Sequence, residues 1–323
     1  MYDDPPLHPM QHFTTMHCVF HCEAKEHIAL DAQPGTAIRG ALYHALIDLF
    51  SPNDPIPGVP LDPVRALLAA ENEENARGRD VPRAFSVEPP PAHTHVETGS
   101  RFQFGVSLFG TANVLAPYLF RALPEMGKRG IGKGRGRFEL IRVNEFSPLD
   151  ESNRIILHPH GAVDPRLTVT HRRVMEEVGM RNSEIVTVRF LSPMRLIENG
   201  ALVRKPMLGP LLRRLIERAQ SLVELYSPAG TPSVSRAAWK DEWQRIGTMG
   251  DQIDEAGALL DATQWVDIQS YSQARGRATP IGGIVGQVRW RVDSAAIMTW
   301  LLWGACLHIG KNVAKGDGYF SVE

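Results

Sequence analysis

Three observations predict an α+β fold built twice in tandem. β-rich stretches and amphipathic helices alternate along all 323 residues. The two halves run in a similar order of strand, helix, extended segments, helix, glycine-rich loop and strand. That is the βαββαβ order of the ferredoxin-like (RRM-like) fold. The two loops also match each other. The first reads Gly127-Lys128, four residues, then Lys133-Gly134-Arg135-Gly136-Arg137-Phe138. The second reads Gly310-Lys311, three residues, then Lys315-Gly316-Asp317-Gly318-Tyr319-Phe320. The shared frame lies between a helix and a strand each time, which argues for a duplication. We expect an N-terminal domain over 1–183 with a long insertion near 51–100. A C-terminal domain over 184–323 would end in the second loop.

Taken in order, "FTTMHCVFHCEA" (13–24) is β-rich and reads as a strand. Residues 35–50 follow with a helical period, placing Ile38, Leu42, Ala45, Leu46 and Leu49 on one face. The proline-rich "SPNDPIPGVP" ends that helix. A short helix is expected over 62–72, and 71–100 reads as a long surface loop. Residues 101–110 form a strand and 111–126 a helix interrupted near Pro117. The glycine-rich loop then runs into a strand. Residues 150–183 read as irregular and rich in arginine and histidine. A strand over 184–197 is expected to turn at Ser192 and Pro193, and 207–226 to form a long amphipathic helix. After a stretch without clear pattern, 265–274 and 284–292 read as strands. A helix over 293–309, N-capped by Asp293 or Ser294, leads to the closing loop.

Hydrophobic residues make up 43% of the chain and charged ones 22%, enough for a sizeable core. A net charge of -1 leaves local charge to identify partners. Three cysteines, Cys18, Cys22 and Cys306, cannot build a disulfide framework. The acidic, proline-broken N-terminus differs from a secretory signal. No apolar run approaches the ~20 residues of a membrane span. A cytoplasmic protein is expected.

Two readings of the sequence fail. A nucleotide-binding P-loop needs strand, loop, then helix, so that helix amides meet the phosphates. Here the order is helix, loop, strand. Zinc binding by "HCVFHC" (17–22) fails because His17 and His21 would lie roughly 13 Å apart on a strand. A glycine-rich turn that can approach a phosphodiester closely remains. From Arg121 to Arg142 the first loop region carries seven cations (Arg121, Lys128, Arg129, Lys133, Arg135, Arg137, Arg142) against Glu125 and Glu139 alone. Such a stripe in a nearly neutral chain is a nucleic-acid footprint, and RNA suits the predicted fold better than DNA.

Several segments carry a resemblance to a known family. "PGTAIRGALYHAL" resembles its first helix, and "VSLFGTANVLAPYLFRALPEMGKRGIGKGRGRFEL" its first-half helix and glycine loop. "WVDIQSYSQARGRATPIGGIVGQVRW" and "LLWGACLHIGKNVAKGDGYF" resemble its C-terminal section. The sequence is similar to the CRISPR-associated endoribonucleases of the RAMP superfamily, which process precursor CRISPR RNA. The resemblance implies metal-independent cleavage by a ribose 2′-hydroxyl, giving a 2′,3′-cyclic phosphate and a 5′-hydroxyl. The implied partners are CRISPR repeat RNA (the precursor and its crRNA product) and other CRISPR effector subunits. No cofactor, metal or membrane is implied. RAMP proteins that bind guide RNA without cutting it form the alternative class.

That chemistry needs a base, an acid and a cation for the phosphorane charge. On a helical wheel the apolar face of 35–50 lies within roughly 80° of one direction, while His44 falls at about 240° beside Gly40 and Asp48. His44 is therefore off the core face, and Asp48, one turn later, is expected to hold its tautomer. The family often places its catalytic residue on this helix. Catalysis is accordingly assigned to His44 and Tyr43, with Lys311 as the cation and Lys128, its equivalent under the duplication, and Arg275 as alternatives to it. RNA binding is assigned to Arg39, Lys128, Arg129, Lys133, Arg135, Arg137, Arg275, His308 and Lys315. His158, His160 and His171 sit in the basic middle stretch as weaker candidates. Asp317 is expected to offset Lys311 and Lys315, leaving the 127–137 loop as the stronger RNA contact.

Overall fold

The computed structural model describes residues 8–50, 82–158, 161–162, 164–181, 184–272 and 277–323, without the side chains of 270–272 and 277–280. The expected helix over 62–72, and with it His160 and Arg275, lies outside the described residues.

The N-terminal half contains strands β1 (Thr14–Ala24) and β2 (Ile28–Ala29), helix α1 (Pro34–Leu49), then β3 (Phe85–Glu88), β4 (His95–Val96) and β5 (Arg101–Phe109). Helix α2 (Ala116–Arg129) and strands β6 (Phe138–Phe146), β7 (Asn153–His158), β8 (Gly161–Ala162) and β9 (Val169–Thr170) follow, then helix α3 (His171–Met180). The sheet runs β3-β5-β1-β6-β7-β8, with β9 on the start of β1, and every pairing is antiparallel. Its first four strands with α1 and α2 reproduce the ferredoxin-like order.

The C-terminal half contains β10 (Ile185–Met194), a β11–β12 hairpin (Leu196–Glu198, Ala201–Val203), helices α4 (Leu208–Tyr226) and α5 (Arg236–Ala256), then β13 (Leu260–Val266). A β14–β15 hairpin (Gln269–Ser272, Arg277–Pro280), β16 (Gly283–Arg291), helix α6 (Ala295–Leu307) and β17 (Phe320–Val322) complete it. Its sheet, β13-β16-β10-β17, has the same strand order as the first four strands of the N-terminal sheet. The α+β duplication read from the sequence is therefore present.

Burial explains the elements that periodicity identified. In α1, Ile38, Leu42, Ala45 and Leu46 face the core, and Pro34 opens the helix where its missing N–H costs nothing. Leu49 departs from expectation and is exposed; Phe50 is buried instead, packed edge-on against Tyr118 of α2. In β1 the alternation sends Cys18, Phe20 and Cys22 inward, where Phe20 meets Phe104 and Phe120. Residues 297–307 of α6 are buried all round, as an uninterrupted apolar helix requires. No helix of the described residues is long and apolar enough to cross a membrane.

Four further expectations need correction. Within the supposed loop 71–100, Phe85–Glu88 is a strand buried on both faces, so it shows no alternation to read. Within 150–183, strands β7 to β9 and helix α3 replace the irregular stretch, with Thr170 capping α3 through the N–H of Arg173. Pro117 does not break a helix; it sits in the first turn of α2, after a 3-10 turn over Gly110–Leu115. β10 runs through Ser192 and Pro193 with a register shift between Phe190 and Met194, and the turn comes later, in the β11–β12 hairpin.

Helix α5 lies in the stretch without clear pattern, marked only by its N-cap, Ser235, whose hydroxyl accepts the N–H of Ala238. It is held by Asp254, whose carboxylate accepts the N–H groups of Leu208 and Gly209 at the start of α4. A bidentate pair between Arg213 and Asp251 adds to this.

Candidate nucleic-acid interface and catalytic face

The two glycine-rich loops reach opposite ends of α1. At its C-terminal end, Arg129, the last residue of α2, forms an ion pair with Asp48. The carboxylate expected to hold His44 is thus engaged by the head of the first loop. His44 itself is exposed, and its imidazole makes no hydrogen bond among the described residues. Its ring lies edge-on to Tyr43, 5.3 Å between centroids, and Tyr43 is 39% exposed. The outer face of α1 therefore presents an imidazole and a phenol, with a guanidinium held one turn further on.

The first loop folds tightly before β6. The Ile131 N–H donates to Gly136 O and the Lys133 N–H to Ala29 O. Gly130, Gly132, Gly134 and Arg135 all take positive φ, so the backbone turns with cationic side chains outward. Three of those cations already stand beside carboxylates. Lys128 pairs with Glu125, Arg129 with Asp48, and Arg137 with Glu26 at 2.7 Å. Lys133 and Arg135 are exposed and have no ion pair among the described residues. Arg39 is half-buried on α1.

The closing loop meets the N-terminal end of α1. The Lys315 carbonyl lies against Gly35, where any Cβ would collide with it. Gly318 (φ 74°) donates its N–H to Pro193 O and accepts from the Ile309 N–H, and a side chain there would strike the Ile309 carbonyl. The irregular part of β10 is thus the dock for this loop. Lys311 is exposed and Lys315 half-buried. Gly35 lies nine residues before His44, about 13 Å along the helix axis. The structure accordingly brings Arg129, rather than the loop of Lys311, to the turn beside His44.

His308 does not face solvent. It is fully buried with φ 57°, its ring 4.7 Å from that of Tyr319. Its Nε2 lies 3.5 Å from Oε1 of Glu88 in β3, so an RNA contact is ruled out by burial. Glu88 also receives a short hydrogen bond from Ser107 Oγ and faces His17 Nδ1 at 3.5 Å. Burial alone would push the Glu88 carboxyl up, but His17 and His308 outweigh it and hold the group below the usual range. Burial holds the His308 imidazole low. His171 is also buried, stacked on His8 and Trp303. Glu88 was invisible in the sequence because its strand was.

Asp317 is buried too, and burial pushes it up to about 7 against the opposing effects of Asn312 and Lys315. Near neutral pH it is only part ionised. It offsets the neighbouring lysines less than a surface aspartate would.

Two family models match the chain. Residues 188–320 match that of the CRISPR-associated endoribonuclease Cas6, and residues 13–168 match a family described as an N-terminal domain. No curated protein gives a sequence match. Among solved structures, Thermus thermophilus Cas6 superposes with a TM-score of 0.55 at 13% identity, over 96% of this chain and 99% of that one. The same Cas6 in a product complex gives 0.57 at 15% identity, with the same coverage. A partial Cas6-RT-Cas1–Cas2 complex gives 0.55 at 12%, over 96% of this chain and 46% of that one. At such identities the likeness is one of fold.

Proposed function

We propose that this chain, whose residues 188–320 belong to the family of the CRISPR-associated endoribonuclease Cas6, cleaves CRISPR repeat RNA in precursor transcripts. It acts in the cytoplasm as two ferredoxin-like domains, 1–183 and 184–323, and has repeat RNA and other CRISPR proteins as partners. The cut needs no metal. The ribose 2′-oxygen attacks the adjacent phosphorus, its proton passes to a base, and the P–O5′ bond breaks as the leaving oxygen gains a proton. The products are a 2′,3′-cyclic phosphate and a 5′-hydroxyl.

His44 carries one of the two proton transfers. The observation behind this role is its position: an exposed imidazole on the outer face of α1, without a hydrogen bond among the described residues, beside Tyr43. Tyr43 orients the substrate or the ring. Arg129, delivered to the next turn by its pair with Asp48, supports the charge that develops on the phosphorane. Lys133 and Arg135 of the first loop hold the backbone of the RNA. Lys311 and Lys315 bind it at the far end of α1, with Arg39, Lys128 and Arg137 as lesser contacts.

The test is cleavage of the cognate repeat RNA by the wild type and by His44→Ala, with excess EDTA throughout. The wild type is expected to cut and leave a cyclic phosphate, and the variant to bind without cutting. Undiminished cutting by His44→Ala would remove His44 from the mechanism. Binding without cutting by the wild type would make the chain a guide-RNA-binding subunit.

A further inference from the structure

Helix α1 holds two glycines in opposite surroundings. At Gly35 the Lys315 carbonyl leaves no room for a side chain. At Gly40 a Cβ would meet nothing within 4 Å among the described residues. Gly40 is absent from the positive-φ positions, so an ordinary L-residue fits its backbone. Glycine in the interior of a helix is destabilising relative to alanine, because the bare chain loses more freedom on folding. Packing and backbone geometry both leave this glycine unexplained.

Its place on the helix supplies a reason. Gly40 is one turn before His44 on the stripe Thr36–Gly40–His44, all of it at least partly exposed. Helical side chains lean toward the N-terminus, so a residue covers the turn preceding its own Cα. The His44 imidazole therefore overhangs the turn to which Gly40 contributes no side chain. Asp48, on the other side, is already engaged by Arg129.

We propose that Gly40 is a substrate clearance: its bare turn lets the ribose-phosphate of the scissile nucleotide lie against α1 within hydrogen-bond reach of His44. The proposal rests on the catalytic reading of His44. Proton transfer needs heavy atoms about 3 Å apart. Misplacement by 1 Å can cost about 10²-fold in rate. A methyl group on this floor is large enough to cause such a shift.

The experiment compares wild type, Gly40→Ala, Gly40→Leu and His44→Ala for melting temperature, repeat-RNA affinity and single-turnover cleavage. Gly40→Ala is expected to raise Tm by about 2 °C while slowing cleavage at least about 10-fold. Gly40→Leu should slow it by about 10²-fold or more, with affinity little changed because the cationic loops are intact. Opposite movement of stability and rate is something a purely structural residue would not produce. Wild-type cleavage rates in Gly40→Ala and Gly40→Leu, alongside an inactive His44→Ala, overturn the clearance alone. Full activity in His44→Ala overturns the catalytic reading and the clearance with it. Should Gly40→Leu lose stability, the Gly40→Ala rate decides: an unchanged rate overturns the proposal.

Discussion

His308 Nε2 and Glu88 Oε1 lie 3.5 Å apart across the junction of the two halves. One residue ends the last helix and the other ends the second strand of the N-terminal ferredoxin order. Their contact joins the closing loop to the sheet against which α1 packs. Removing the carboxylate would leave His17 and His308 buried without it. Glu88→Ala, which leaves buried donors without their acceptor, is expected to destabilise the fold by about 2–4 kcal/mol, and Glu88→Gln, which keeps an acceptor, by about 1–3 kcal/mol. Denaturant unfolding measures both, and a change below experimental error in Glu88→Ala would show that the junction does not depend on the pair.

Stability should fall as the solution is acidified. Burial holds the imidazoles of His308 and His171 low, and that of His8 at about 3. A folded-state value below the unfolded one means that the unfolded chain binds protons first. The stability from these groups is present above about pH 6.5 and is lost as pH drops below it. Glu88, also depressed, adds a further loss below about pH 4.5. Thermal melts of Asp317→Asn, which lacks the opposing contribution of that buried carboxyl, at pH 7.5, 6, 5 and 4 are expected to show a decline in Tm.

Asp317 acts with the opposite sign. Its value, about 7, lies above that of an unfolded aspartate, so its favourable contribution is complete in acid and disappears as pH rises through 7. Asp317→Asn should therefore raise Tm at pH 8, by an amount on the order of a few kcal/mol in stability, and do much less at pH 4. A Tm gain equal at both pH values would contradict the buried, titrating carboxyl.

The cations of the first loop should divide by their partners. Lys133→Ala combined with Arg135→Ala should weaken repeat-RNA binding and lower the slope of log affinity against log salt by about 1.4, at ~0.7 per phosphate contact on a single strand. Arg137→Ala should change the slope less, since its guanidinium is already paired with Glu26. Fluorescence anisotropy across a salt series distinguishes them.

Arg129 and Lys311 should separate chemistry from binding. Arg129→Ala is expected to slow single-turnover cleavage at saturating RNA by about 10²-fold, the scale of one lost charge-stabilising donor. Lys311→Ala should act mainly on affinity. The reverse assignment of effects would move the charge-stabilising role to the closing loop.

Local pattern made much of this legible in the sequence. The apolar stripe of α1 and the exposed setting of His44 follow from a period of 3.6. The repeated frame ending at Phe138 and Phe320 follows from two glycine-rich loops that each lead into a buried strand residue. β3 escaped because four residues buried on both faces carry no alternation. α5 escaped because few of its residues are buried, chiefly Trp239, Ile246, Gly247 and Gly250, so its apolar stripe is thin. The charge stripe is legible as composition, whereas its ion pairs are not. Glu26 and Asp48, which pair with Arg137 and Arg129, lie about 80 to 110 residues away in the chain.

Sequence by itself determined the types of the strongly periodic elements, the duplication and the outward position of His44, because each depends on residues within a few turns or strands of one another. Tertiary structure alone decided who partners whom. It gave Asp48 to Arg129 and buried His308 against Glu88. It also carried the two loops to opposite ends of α1 and left Gly40 open. Those outcomes depend on long-range packing and on the energetic demand that buried charges find partners, which no local pattern in a single chain records.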